Sequence, residues 1–154
     1  MTEASTGTGP ASGTALPSGP VWQAGLLAAL AATVVNAVAW LVVQQLFDAG
    51  LQAPATPGGT DLTALPLSAV VFVTALTSLV GAVVLWLLSR RGPSGVRLWT
   101  GLAVAFGLLS ALPAFSLEVP TAKQLGLVLF HVLATVVVVG VVRRELGRRT
   151  GQAQ

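Results

Sequence analysis

Four long stretches of this chain hold almost nothing but apolar residues, and the polar residues collect between them. The stretches run from Val21 to about Phe47, from about Pro66 to Ser89, from Leu98 to about Ser116 and from Ala122 to Val142. A helix needs roughly 20 apolar residues to cross the hydrocarbon core of a bilayer, and each stretch meets that length. None alternates strictly between apolar and polar, and each is about twice as long as a barrel strand. The pattern therefore predicts an all-α fold, a polytopic transmembrane four-helix bundle.

The segments between the stretches read as stops. Pro and Gly crowd the first, DAGLQAPATPGGTDLTAL, and the second, RRGPSGVR, predicts a tight turn around Gly92 and Pro93. Thr121-Ala-Lys-Gln124 has the form of a capping box at the start of the last helix. Residues 21–145 then form the membrane domain. Residues 1–20, rich in Gly, Ser, Thr, Ala and Pro, predict a disordered tail with no positive segment of the kind that opens a secretory signal. Residues 146–154 predict a short basic tail.

Helical rise places a few polar residues at a common depth. Counting about 1.5 Å per residue from the ends that carry the arginines, Asn36 and His131 lie roughly 21 and 18 Å in, with Thr74 and Ser110 close to the same level. Each helix thus supplies one member of an expected polar layer. In the first helix Gly25, Ala29, Thr33, Asn36, Trp40 and Gln44 recur at steps of three or four, and in the fourth Gln124, His131 and Thr135 share a face. Those faces are expected to point inward, since an unpaired amide or imidazole facing lipid costs several kcal/mol. Thr74, Ser78 and Ala82, and likewise Ala103, Gly107 and Ala111, repeat every four residues and predict close helix approach. Pro113 is expected to kink the third helix near its outer end and free a carbonyl there.

Composition confirms the solvent. Of 154 residues, 54% are hydrophobic and 8% charged, against about 25% charged in an ordinary soluble domain. The charges also give a direction. Arg90, Arg91, Arg97, Arg143, Arg144, Arg148 and Arg149 fall at one end of the expected bundle, and Lys123, Asp48, Asp61 and Glu118 at the other. Because Lys and Arg are retained on the cytoplasmic side, these seven arginines act as topology anchors and put both termini in the cytoplasm of a multi-pass cell-membrane protein. Trp22, Trp86 and Trp99 near the same end and Trp40 near the other are expected to mark the two interfaces, with wet indole N–H groups.

The same composition narrows the chemistry. There is no cysteine and a single histidine, and no carboxylate at depth, so neither a metal site nor a cofactor is expected. A net charge of +3 without a basic stripe and interleaved aromatics points away from nucleic acid. The partners expected are the lipid bilayer and either a second copy or another membrane protein.

His131 is the sharpest functional candidate, being the only side chain at depth that can change charge near neutral pH. As a neutral ring it has one donor and one acceptor, enough to join Asn36 and a hydroxyl across helices. On that reading the layer is structural, and the protein a non-enzymatic accessory or self-associating bundle. The alternative is a small-solute transporter or channel using His131 and Asn36, although Asn36 stands where small four-helix exporters carry a glutamate. An intramembrane hydrolase is disfavoured, because His131 with Ser110 or Thr135 has no acidic third member.

Asn36 with Trp40, the run Arg97-Leu98-Trp99-Thr100, Ser110 with Pro113, and the segment from Leu127 to Ala134 resemble a family of small four-helix membrane proteins of high-GC Gram-positive bacteria, a domain of unknown function. The resemblance covers about residues 21–145. It implies a four-helix membrane fold and an actinobacterial source, and brings no activity, substrate or cofactor.

Overall fold

The computed structural model describes residues 16–46, 51–54 and 61–151. Residues 1–15 of the expected tail, Asp48 and the last three residues lie outside these. Four helices dominate: α1 (Ser18–Leu46), α2 (Leu67–Ser89), α3 (Pro93–Ala111) and α4 (Thr121–Gly151). All four are long and apolar enough to cross a membrane, the architecture of a multi-pass membrane protein. They pack in a ring in which α1 meets α2 and α4, and α3 meets the same two.

Several helix limits differ from the sequence expectation, each for a local reason. Ser18–Pro20, expected in the tail, form the first turn of α1. α3 starts at Pro93 because the α2–α3 turn is so tight. Gly92 adopts a positive φ of 67°, which only glycine takes without strain, and Pro93 follows at the first helical position. A β-carbon on Gly95 would collide with the Leu88 carbonyl oxygen, so the turn depends on that residue too. α4 continues to Gly151, well past Val142, and its length of about 46 Å exceeds a hydrocarbon core of about 30 Å. Its arginine-bearing end therefore projects beyond the apolar layer.

Pro113 falls just beyond α3. The α-helix stops at Ala111, and a 3-10 helix, Leu112–Ser116, takes over. Without an N–H, Pro113 cannot bond the Leu109 carbonyl, and the N–H of Leu112 takes that carbonyl instead through the tighter turn. The carbonyl expected to be free is satisfied. The capping box is also absent: Gln124 does not reach back to Thr121 but donates through Nε2 to the carbonyls of Leu117 (2.8 Å) and Phe115 (3.4 Å), fastening the 3-10 segment to α4.

The segment between α1 and α2 contains more than a loop. Strands β1 (Gln52–Pro54) and β2 (Leu62–Ala64) pair antiparallel, with Ala53 opposite Thr63. This hairpin directs Leu51 into the bundle, where it is fully buried among Val43, Val70, Ala114, Leu127 and Phe130. Trp40 Nε1 donates to the Leu65 carbonyl at 2.9 Å and holds the hairpin's return arm to α1. An apolar plug thus closes one end.

The other end has its own apolar cluster of Val21, Ala28, Leu85, Trp99 and Val142. Here Trp99 departs from expectation. It is 2% exposed, and its indole N–H donates to the Gly81 carbonyl of α2 at 2.9 Å rather than to water. Trp22 remains exposed, and Trp86 lies under the Arg90 guanidinium at 4.1 Å. The Arg149 side chain donates to Gln23, tying α4's end to α1's first turns, so all seven arginines gather at this end.

Along their length the helices also meet through small residues. A β-carbon on Gly25 would stand 2.7 Å from that of Ala82, and one on Gly107 would collide with the Thr135 hydroxyl. The expected small-residue stripes of α2 and α3 therefore face α1 and α4. Outward faces are the reverse: Leu30, Val34, Phe72, Val73, Phe106, Leu109 and Val136 are all more than half exposed, a coat suited to hydrocarbon and not to water.

Gly107→Leu should drive a side chain into Thr135 and cost about 1–3 kcal/mol, read as a lower midpoint of thermal unfolding in detergent. Gly101, whose α-carbon faces open space, should accept leucine without loss. Equal destabilisation by both would contradict the packing described.

Candidate functional site

The polar residues at mid-bundle were expected to converge. They do so only in part. Asn36 is 2% exposed, on the face of α1 that also buries Ala29 and Ala32. Its Nδ2 donates to Thr74 Oγ1 of α2 at 3.1 Å. This is a hydrogen bond between helices at depth, and it joins two of the four residues singled out.

The other two turn back onto their own helix. Ser110 Oγ donates to the Gly107 carbonyl at 2.9 Å. His131 Nδ1 lies 3.0 Å from the Leu127 carbonyl, four residues back, an arrangement in which Nδ1 donates its proton to the carbonyl. The expected bond between His131 and Asn36 does not form. His131 is half-buried, and its Nδ1 bond stays within α4.

Neighbouring hydroxyls follow the same rule. Thr33 donates to Ala29, Thr100 to Val96 and Thr135 to His131, each to the carbonyl four residues before it. Ser and Thr do this readily in helices, and in an apolar surrounding it satisfies the hydroxyl without any partner helix. Ser78, buried on α2, shares the Thr74 face. The layer is a set of separately satisfied groups with one bridge.

One atom is left over. Asn36 Oδ1 is buried and has no hydrogen-bond partner. An amide oxygen in that state loses the hydration it had and gains nothing in return, a cost of about 1–3 kcal/mol. The Asn36–Thr74 bond must offset that cost, and interhelical bonds in membranes average only about 0.6 kcal/mol. Asn36 is therefore held in place by the packing of Ala29, Ala32 and their neighbours more than by its own bond.

No cluster of three metal-binding side chains occurs among the described residues. The topology anchors are mostly unengaged. Arg148 pairs with Glu145 at 3.6 Å, Arg149 with Gln23, and Arg90 with the Trp86 ring. The guanidinium groups of Arg91, Arg97, Arg143 and Arg144 have no partner among the described residues.

A groove of about 390 Å³ runs along the outside of the bundle between α3 and α4. Val104 and Leu108 form one wall, Val132 and Val136 the other, with Gly107 and Thr135 at its floor and Arg143 at its end. His131 does not line it. No signal in the sequence separates these residues from other apolar positions, because the groove depends on open space such as that beside Gly140, which supplies no side chain.

Thr74→Val should leave both ends of the Asn36 amide unpaired and lower stability by about 0.6–1.7 kcal/mol. Asn36→Leu combined with Thr74→Val removes every unsatisfied group and should recover most of that loss. A double variant less stable than Thr74→Val alone, measured by unfolding in detergent, would show that Asn36 makes a contact not described above.

The family model described as "Family of unknown function (DUF6069)" matches residues 17–148 of the chain. No curated protein and no solved structure matches it.

Proposed function

The chain belongs to that family of unknown function (DUF6069), and from this premise we propose that it is a non-enzymatic cell-membrane protein, an accessory or self-associating helix bundle. The observation that carries this reading is how the mid-bundle polar groups are used. Ser110, Thr135, Thr33 and His131 bond to their own helices, and the Asn36–Thr74 pair is the bridge between helices. The Asn36–Thr74 bond ties α1 to α2, and the groups bonded within one helix leave their neighbours to pack by shape. Among the described residues, Asn36 Oδ1 is the buried side-chain atom left without a partner, and one such atom makes no continuous polar path for a solute or proton.

The transporter reading needs a polar path that reaches His131. The groove on the α3–α4 face is apolar along its walls and opens outward, which favours the structural reading over it. Partners are accordingly the lipid bilayer and a second copy or another membrane protein. An actinobacterial source rests on the resemblance of the Asn36, Trp40 and Leu127–Ala134 segments.

Orientation follows from charge. With the α2–α3 turn, the start of α3 and the α4 end holding seven arginines against Lys123 at the opposite end, the positive-inside rule puts both termini in the cytoplasm.

Two experiments test this. The chain has no cysteine, so single replacements report cleanly: in intact cells, Thr63→Cys in the hairpin should react with a membrane-impermeant maleimide, and Ser94→Cys in the α2–α3 turn should react only after lysis. The reverse labelling would invert the topology. In proteoliposomes, the protein should add no proton or small-cation leak above empty vesicles. A leak that disappears in Asn36→Leu and His131→Leu would overturn the structural reading in favour of transport.

A further inference from the structure

The α3–α4 groove combines three properties. Its walls are apolar, Gly107 and Thr135 meet at its floor, and an arginine stands at one end. Gly140, directly before that end, has open space where a side chain would be. From Val132 to Arg143 the groove follows eleven residues of α4, a rise of roughly 16 Å. That is close to the depth of a single leaflet, about half of a hydrocarbon core of about 30 Å.

Charge at the end of the groove has one sign. Arg143 is exposed and unpaired among the described residues. Arg144 adjoins it in sequence, and Arg97 lies near the same level on α3, ten residues from Gly107 as Arg143 lies eight from Thr135, the pair in contact. The nearby acid, Glu145, is engaged by Arg148. A guanidinium suits phosphate oxygens, which it can bind in parallel pairs.

We propose that this groove is a binding site for one anionic phospholipid of the arginine-side leaflet, its acyl chain lying along Val104, Val132 and Val136 and its phosphate on Arg143. The site is built for a chain and a headgroup at once. The valine walls replace neighbouring lipid tails, and the missing side chain at Gly140 lets the chain pass from the headgroup into the groove. Anionic lipid is favoured over zwitterionic because Arg97, Arg143 and Arg144 have no partner acid to neutralise them. The inference rests on the membrane reading above, whose own failure would appear earlier, as a protein that stays in solution without detergent.

The test is native mass spectrometry of the full chain, released from detergent after exchange into defined mixtures of phosphatidylglycerol and phosphatidylcholine. Wild type should retain phosphatidylglycerol at least fivefold over phosphatidylcholine. Arg143→Gln should reduce that preference about fivefold, the equivalent of about 1 kcal/mol for one charge at the surface, while Arg144→Gln, outside the groove, changes it less. Gly140→Leu, which fills open space and should fold normally, should lower retention of both lipids. Equal retention of phosphatidylglycerol by wild type, Arg143→Gln and Gly140→Leu would overturn the proposal. So would a Gly140→Leu variant that keeps its lipid but loses a dimer seen in wild type, which would make the groove a contact between copies.

Discussion

Hydrocarbon provides no hydrogen-bond partner, and most of this structure follows from that constraint. A polar side chain between the ends of the bundle must be satisfied by the protein or carry its full desolvation cost. The chain meets much of the demand in the least expensive way, by returning four hydroxyls to carbonyls of their own helices: Thr33 to Ala29, Thr100 to Val96, Thr135 to His131, and Ser110 to Gly107. His131 does the same with Leu127. Groups satisfied within one helix place no demand on the helix beside it.

What then holds the helices together is shape. Apolar association gains little from burial when the surrounding lipid is as apolar as the core, so close packing and a few bonds must suffice. Gly25 admits Ala82, and Gly107 admits Thr135, each approach closer than a side chain would allow. Larger residues are kept for the ends, where Leu51 closes one cluster and Trp99 and Leu85 fill the other. Asn36 is the exception in this scheme. It spends one amide hydrogen on Thr74 and leaves its oxygen unpaired, a local cost that marks it as the polar residue at depth most in need of the surrounding packing.

The four helices were legible from the sequence because length and hydropathy alone decide a membrane span. Depth was legible as well: counting along the helices placed Asn36 and Thr74 at one level, and they are bonded. The pairing of His131 was not, since equal depth says nothing about rotation around the helix axis, and a carbonyl one turn away competes with any partner across the bundle. Trp99 reads in sequence as an interfacial residue, and only the start of α3 at Pro93, set by the Gly92 turn, moves it inside. Leu51 lies in a Pro- and Gly-rich stretch that looks like solvent loop. Its burial depends on a hairpin of three-residue strands, too short to leave a periodic signal. The α3–α4 groove depends on where side chains are missing, and a pattern of apolar residues does not record that.

The central claim is that the mid-bundle is closed to water. Hydrogen–deuterium exchange by solid-state NMR, on protein reconstituted in bilayers, tests it residue by residue. Backbone amides around Asn36, Thr74, Ser110 and His131 should remain protonated for days, while those of the hairpin and of α4 beyond Arg143 exchange within minutes to hours. Fast exchange confined to the inward faces of two or more helices at the level of Asn36 would reveal a hydrated path and contradict the account.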